Sequence, residues 1–218
     1  MPTIGRSRMS AVFVAVFAFA APLCAQSSFE LAPLYGYYRP FGSFAQPSAS
    51  IGSLPNKPSD LSGIAWGAEA HLWISQRLGV QVQAAVANSS IGIRVGPEGS
   101  EGPTPAQVLI VTAQAQYDLS PSPEKYRMWV SAGPGLVRRG GDAYAIAGVG
   151  SPISVGAAFG IGLDIPIVSR LRATVGAQTL LYQLDVPMPP ILRGNPGGLE
   201  SGFQIDGLAH VGLAWGWR

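Results

Sequence analysis

The chain has 218 residues, among them 28 glycines and 19 prolines, with 12% charged residues and a formal net charge of +2. Soluble domains average roughly a quarter charged residues, and Gly and Pro spread this evenly work against a helical fold, at about 1 and 3 kcal/mol per interior position. No basic block of the kind nucleic acid requires is present.

Residues 1–25 read as a secretory signal peptide. Arg6 and Arg8 form a positive start, and Ala11 to Ala21 is an apolar run too short to cross a bilayer. Leu23-Cys24-Ala25 then gives way to polar Gln26, Ser27 and Ser28, so cleavage is expected after Ala25. Cys24 raises a lipoprotein alternative, but Ala21-Pro22-Leu23 lacks the lipobox order. Cleavage removes the one cysteine, and with it any disulfide. Loss of Arg6 and Arg8 brings the net charge to zero. Residues 26–218 remain as one domain.

In that domain eight segments alternate polar with apolar residues, the period of a strand. The first, Phe29–Arg39, sets Phe29, Leu31, Pro33, Tyr35 and Tyr37 on one face. A long Ser/Pro/Gly stretch, 40–62, follows. The second, Gly63–Ser75, opposes Ile64, Trp66, Ala68, Ala70 and Leu72 to Ala65, Gly67, Glu69, His71 and Trp73. After a tight connection the third carries Leu78, Val80, Val82, Ala84 and Val86 against Gln81 and Gln83. The breaker-rich GPEGSEGPT at 96–104 predicts a loop.

The fourth segment places Leu109, Val111, Ala113, Ala115 and Tyr117 opposite Thr112, Gln114, Gln116 and Asp118. A short Ser-Pro turn leads to the fifth, where Tyr126, Met128, Val130, Ala132 and Leu136 oppose Arg127, Trp129, Ser131, Gly133 and Gly135. A longer connection is expected at 138–151. The sixth alternates Ile153 to Leu163 with Ser154 to Asp164, and turns tightly at Ile167-Val168-Ser169. The seventh sets Leu171, Ala173, Val175 and Ala177 against Arg170, Arg172, Thr174, Gly176 and Gln178. A Pro/Gly-rich connection, 186–201, leads to the last strand. There Phe203, Ile205, Val211, Leu213, Trp215 and Trp217 oppose Gln204, Asp206, Leu208 and His210.

An even strand count with long and short connections in strict alternation predicts an all-β fold, an eight-stranded antiparallel up-and-down transmembrane β-barrel. Each segment meets the ~9–11 residues a tilted strand needs to cross the hydrocarbon. With both termini on the periplasmic side, Phe29, Tyr117, Tyr126, Trp215 and Trp217 fall at one rim, and Tyr35, Tyr37, Trp66 and Phe203 toward the other. Two such groups are expected of interfacial aromatic girdles.

On the exported start, the eight segments, VSAGPGLVRRG in the fifth strand and GLAHVGLAWGW at the end, the mature chain resembles the small outer-membrane β-barrel family, the OmpA/OmpX-like barrels of Gram-negative-type bacteria. The resemblance implies a place in the outer membrane, and reading of the last strand, with Trp217 as its terminal aromatic, by the barrel-assembly machinery.

A barrel of eight strands leaves an interior that side chains fill. The inward set is Glu69, His71, Gln81, Gln83, Gln114, Gln116, Arg127, Asp164, Arg170, Arg172, Gln178, Asp206 and His210, nearly balanced in charge. That favours a plugged lumen held by a polar network, with a narrow solute pore as alternative. Inward glycines leave room opposite Trp73 and Trp129. Glu69 and His71 share one face and Asp206 and His210 another, with strand one between them, so the sequence does not bring the four together. No metal or other cofactor is expected, because metal needs three or four converging ligands. No catalytic residue is expected either. Neither histidine has Ser two residues away, and Ser131 has no evident base. A lipid-modifying enzyme and a soluble lipocalin-like binder stay as alternatives.

Arg94, Arg138, Arg139 and Arg193 are expected near or above the outer rim, where Arg138 and Arg139 suit lipopolysaccharide phosphates. Gly140-Gly141 follows no P-loop spacing. The expected role is non-enzymatic, structural or adhesive, through the long loops.

Overall fold

The computed structural model describes residues 28–41, 62–94, 101–121, 125–142, 151–188 and 198–217. The expected signal peptide, Arg193 and most of the stretch 40–62 lie outside them. Eight strands run in chain order: β1 (Ser28–Pro40), β2 (Gly63–Trp73), β3 (Leu78–Arg94), β4 (Glu101–Asp118), β5 (Arg127–Gly140), β6 (Ile153–Val168), β7 (Leu171–Met188) and β8 (Gly198–Trp217). Each pairs antiparallel with the next, and β1 pairs with β8 from Phe29–Trp217 to Pro40–Asp206, so the sheet closes into a barrel.

The period of two decides which residues face which way. Val155, Ile161, Val175, Val211 and Leu213 point outward and are 49–70% exposed. Gln81, Gln83, Gln114, Gln116 and Gln178 point inward and are at most 4% exposed. A water-soluble sheet would reverse this arrangement. An apolar exterior around a partly polar interior is the surface plan of a barrel in lipid. A soluble lipocalin-like binder is therefore ruled out by the outer face itself.

At the end of the short connections, local hydrogen bonds turn the chain. Between β2 and β3, Ser75 Oγ accepts from the amides of Arg77 (3.3 Å) and Leu78 (3.0 Å). After β4, Asp118 Oδ1 accepts from the amide of Ser120 at 2.8 Å, a local side-chain turn of the kind Asp favours. Between β6 and β7 only Ser169 and Arg170 intervene. Arg170, expected inward, is exposed in that turn, because the strand face begins one residue later.

Several strands outrun their sequence signals at the other end. Residues 101–104 of the expected loop 96–104 belong to β4, where Glu101 pairs with Arg94 and Pro103 with Gly92. β4 meets β5 only from Gln107 onward, so Pro103 lies where the strand has a single neighbour and its missing N–H is tolerated. Likewise Val186–Met188 and Gly198–Glu200, expected as connection, pair with each other beyond the last contact of β1 with β8, and Ser201 pairs with Asp185. β5 continues through Arg138 and Arg139 to Gly140, so neither arginine lies in a loop.

Inward glycines make room for the largest interior groups. A Cβ on Gly162 would collide with the indole of Trp129, and one on Gly176 with the imidazole of His210.

The lipid-facing assignment predicts a one-sided response at Val211, which lies on β8 between the outward aromatics Phe203 and Trp217 and pairs with Val175. Val211→Arg is expected to lose about 2–4 kcal/mol, the penalty for a cation near the bilayer midplane, whereas Val211→Leu changes stability little. Equilibrium unfolding from phospholipid vesicles measures both.

Candidate functional site: the barrel lumen

The interior divides into two layers. Toward the short turns it is polar. Glu69, on β2, is the hub of this layer. His71 Nδ1–H donates to Gln116 Oε1 at 3.0 Å, Gln116 Nε2 donates to Gln81 Oε1 at 3.3 Å, and Gln81 Nε2 donates to Glu69 Oε2 at 3.0 Å. His71 Nε2 lies 3.5 Å from Glu69 Oε1, which closes the ring through β2, β3 and β4. His210 Nε2 reaches Glu69 Oε2 at 3.2 Å from β8.

That last contact corrects the expectation that β1 keeps β2 and β8 apart. The β1 residue opposite Glu69 is Ala32, buried and too small to obstruct a side chain crossing the lumen. Asp206 does not join this group.

Nearer the short turns, Arg127 Nε faces Asp118 Oδ2 at 3.3 Å and its Nη1 donates to Glu30 Oε1 at 3.4 Å. Its guanidinium also lies 3.9 Å from the ring centroid of buried Trp73, a cation–π contact. Arg172 Nε approaches the same Glu30 oxygen at 3.7 Å. Trp129 Nε1 donates to Asp164 Oδ1 at 3.2 Å. Ser131 Oγ donates to Gln114 Oε1, so that hydroxyl is committed to an amide rather than to an imidazole.

Toward the long connections the interior is apolar. Leu34, Ala85, Ala87, Val108, Ile110, Val137, Ala158, Leu180, Leu184 and Leu208 form one buried cluster, each at most 3% exposed. Within it sits one charged group that the sequence placed elsewhere. Arg139, expected at the rim for lipid phosphate, is fully buried in the lumen. Its Nη2 donates to Asp206 Oδ2 (3.0 Å) and Oδ1 (3.2 Å), to Tyr38 Oη (3.3 Å) and to Tyr182 Oη. Tyr38 Oη donates to Asp206 Oδ2 at 2.7 Å, and Tyr182 Oη donates to the same oxygen. The physical reason for the correction is the alternation itself. Counting in twos from Arg127 through Trp129, Ser131, Gly133, Gly135 and Val137 arrives at Arg139, while Arg138 takes the outward, exposed position.

Glu30, Tyr38 and Tyr182 were missed as lumen participants, and Asp118, although placed on the polar face of its strand, was not counted in the inward set; each has inward parity. Tyr38 is hidden in the sequence beside two outward aromatics, Tyr35 and Tyr37. Of the expected inward set, Glu69, His71, Gln114, Arg127, Arg172, Asp206 and His210 all line the interior. They divide between the two layers rather than making a single network. Tyr35, Tyr37, Trp66, Tyr117, Tyr126, Trp215 and Trp217 all point outward, 38–58% exposed. Phe29 and Trp217 meet at one end as tilted rings with centroids 5.6 Å apart. Tyr35 pairs with Trp66 six residues further along β1. Among the described residues no group of three His, Cys, Asp or Glu is disposed to hold a metal ion.

The sequence matches no protein-family model and no curated protein. The fold does match solved structures. The outer membrane protein OprG from Pseudomonas aeruginosa superimposes with a TM-score of 0.60 at 13% identity, over 88% of this chain and 96% of that one. Outer membrane protein AlkL, solved in lipid bilayers, gives 0.53 at 14% identity, over 88% and 91%. Neisserial surface protein A gives 0.52 at 14%, over 86% and 96%. By fold, then, the chain is similar to small eight-stranded outer-membrane barrels.

The Arg139–Asp206 pair makes a sharp energetic prediction. Asp206→Leu alone takes the carboxylate away from a buried guanidinium and is expected to cost about 3–5 kcal/mol, whereas Arg139→Met with Asp206→Leu restores most of that loss. Urea unfolding of the two variants in vesicles distinguishes a coupled pair from two independent residues.

Proposed function

We propose that this chain is an integral outer-membrane barrel whose lumen is closed to solutes, and that it serves as a membrane-held platform acting through its exterior and the segments joining its strands. The supporting observation is the apolar layer around Arg139 and Asp206, whose members are each at most 3% exposed and within which Arg139 and Asp206 are fully buried. Eight strands enclose only enough space for side chains, and here those side chains span the lumen from β5 to β1 and β8.

In this reading residues 1–25 are removed at export, β8 with its terminal Trp217 is the segment that the barrel-assembly machinery engages, and the outward aromatics lie at the two lipid interfaces. Arg138, exposed on the outer face of β5, takes the role of pairing with lipopolysaccharide phosphate. Arg139 does not. The role is non-enzymatic: His71 is held by Gln116 and Glu69, Ser131 by Gln114, and Tyr38 and Tyr182 by Asp206, so none of these groups is paired as a nucleophile with a base.

A narrow pore is the second reading, favoured by the polar layer that lines the short-turn half. Planar-bilayer recording separates the two. The native barrel is expected to show no discrete conductance, while Asp206→Ala, which opens the seal, admits current. Channel events in the native protein would replace the platform with the pore.

A further inference from the structure

At the short-turn mouth a cavity of about 230 Å3 is lined by Ser28, Glu30, Arg127, Ser169, Arg170, Arg172, Gly216 and Trp217. This is below the ~300–1,000 Å3 typical of pockets for drug-sized ligands, and it suits a group the size of a headgroup anion. Three arginines and one glutamate line it, so two positive charges stand in excess.

The excess is not spread evenly. Arg127 is spoken for by Glu30, Asp118 and the face of Trp73. Glu30, the cavity's carboxylate, lies between Arg127 at 3.4 Å and Arg172 at 3.7 Å, so its charge is already answered. Arg172 uses Nε toward Glu30, but its Nη1 is buried and has no hydrogen-bond partner among the described residues. Arg170 stands exposed in the β6–β7 turn beside it. An unpaired buried donor is costly, and a guanidinium fork matches the oxygens of a phosphate or carboxylate. A cation would find no free carboxylate here.

We infer that this mouth binds a phosphate-type oxyanion between Arg170 and Arg172, with the hydroxyls of Ser28 and Ser169 as further donors. The same chemistry arises from free phosphate or from the phosphodiester of a phospholipid headgroup. The paired Phe29 and Trp217 beside the cavity are the amphipathic rings that sit at headgroup level. The site is distinct from the seal, and its occupancy does not depend on whether the lumen conducts.

The test uses the whole barrel in a nonionic detergent, labelled with 15N-arginine and titrated at constant ionic strength. One arm adds inorganic phosphate and the other adds dihexanoyl phosphatidylglycerol below its micelle concentration. Saturable shifts of the Arg170 and Arg172 Nε–H resonances are expected, with Arg77, in the β2–β3 turn, unmoved. Arg172→Gln should weaken binding about tenfold or more, as expected for loss of a charge-assisted pair. Arg170→Gln, in an exposed turn, supplies a second variant that leaves the barrel wall intact. A response to phosphate assigns a free oxyanion, and a response to the lipid alone assigns a headgroup. No shift in either arm, equal movement of Arg77, or wild-type affinity in both variants overturns the proposal.

Discussion

Hydrocarbon offers no hydrogen bonds, so each backbone N–H and C=O that enters it must find its partner within the protein. A sheet meets that demand only by closing, and the pairing of β1 with β8 is what closes this one. Everything else follows from closure at eight strands. The outer faces must be apolar, and the diameter is too small for an open channel and too large to leave empty. The interior is filled by a fit between large and small residues: Trp129 over Gly162, His210 over Gly176, and Glu69 reaching past Ala32. Each large group has its space because its partner on the adjacent strand carries a small side chain or none.

Much of this was legible in the sequence, because a period of two in a membrane barrel is nearly a full specification of facing. The outward series from Phe29 to Tyr37 and the inward glutamines of β3 and β4 need no tertiary information. What the sequence concealed was where the strands stop. Proline and glycine mark breaks in an average strand, yet Pro103 and Pro187 continue strands here because each sits in a stretch with only one neighbour. That error of length became an error of facing at Arg139: ending β5 at Leu136 turns a lumen residue into a rim residue. The contacts across the lumen were unreadable for another reason. Glu69 and His210 are separated by a whole strand in the sheet and meet only because the sheet curves shut.

The two layers differ in how they hold their charges. In the polar layer Glu69 is shared by two imidazoles and an amide, and Arg127 by two carboxylates and an indole, so losing one partner leaves others. In the apolar layer Arg139 depends on Asp206 and two phenols, contributed by β1, β7 and β8. β5 stands opposite β1 in an eight-stranded ring, so this cluster ties together walls that share no backbone hydrogen bonds. Beyond it the β3–β4 and β7–β8 ladders continue as two-stranded hairpins on opposite sides of the mouth.

A buried ion pair in an apolar layer is a poor way to add stability, since an apolar pair of similar volume does as well or better. Its directional demands are what distinguish it. Three groups from three strands satisfy Asp206 of β8 together only when the β5 wall stands at one height relative to β1 and β8, and a slip of one residue would turn Arg139 out to lipid. The apolar side chains around it fill space without choosing a register. The cluster therefore favours one register while the leucines and alanines pack around it, an arrangement that supports the proposed closed lumen. A ligand held at the Arg170–Arg172 mouth would rest in a blind vestibule, with the polar layer above it and the seal beyond.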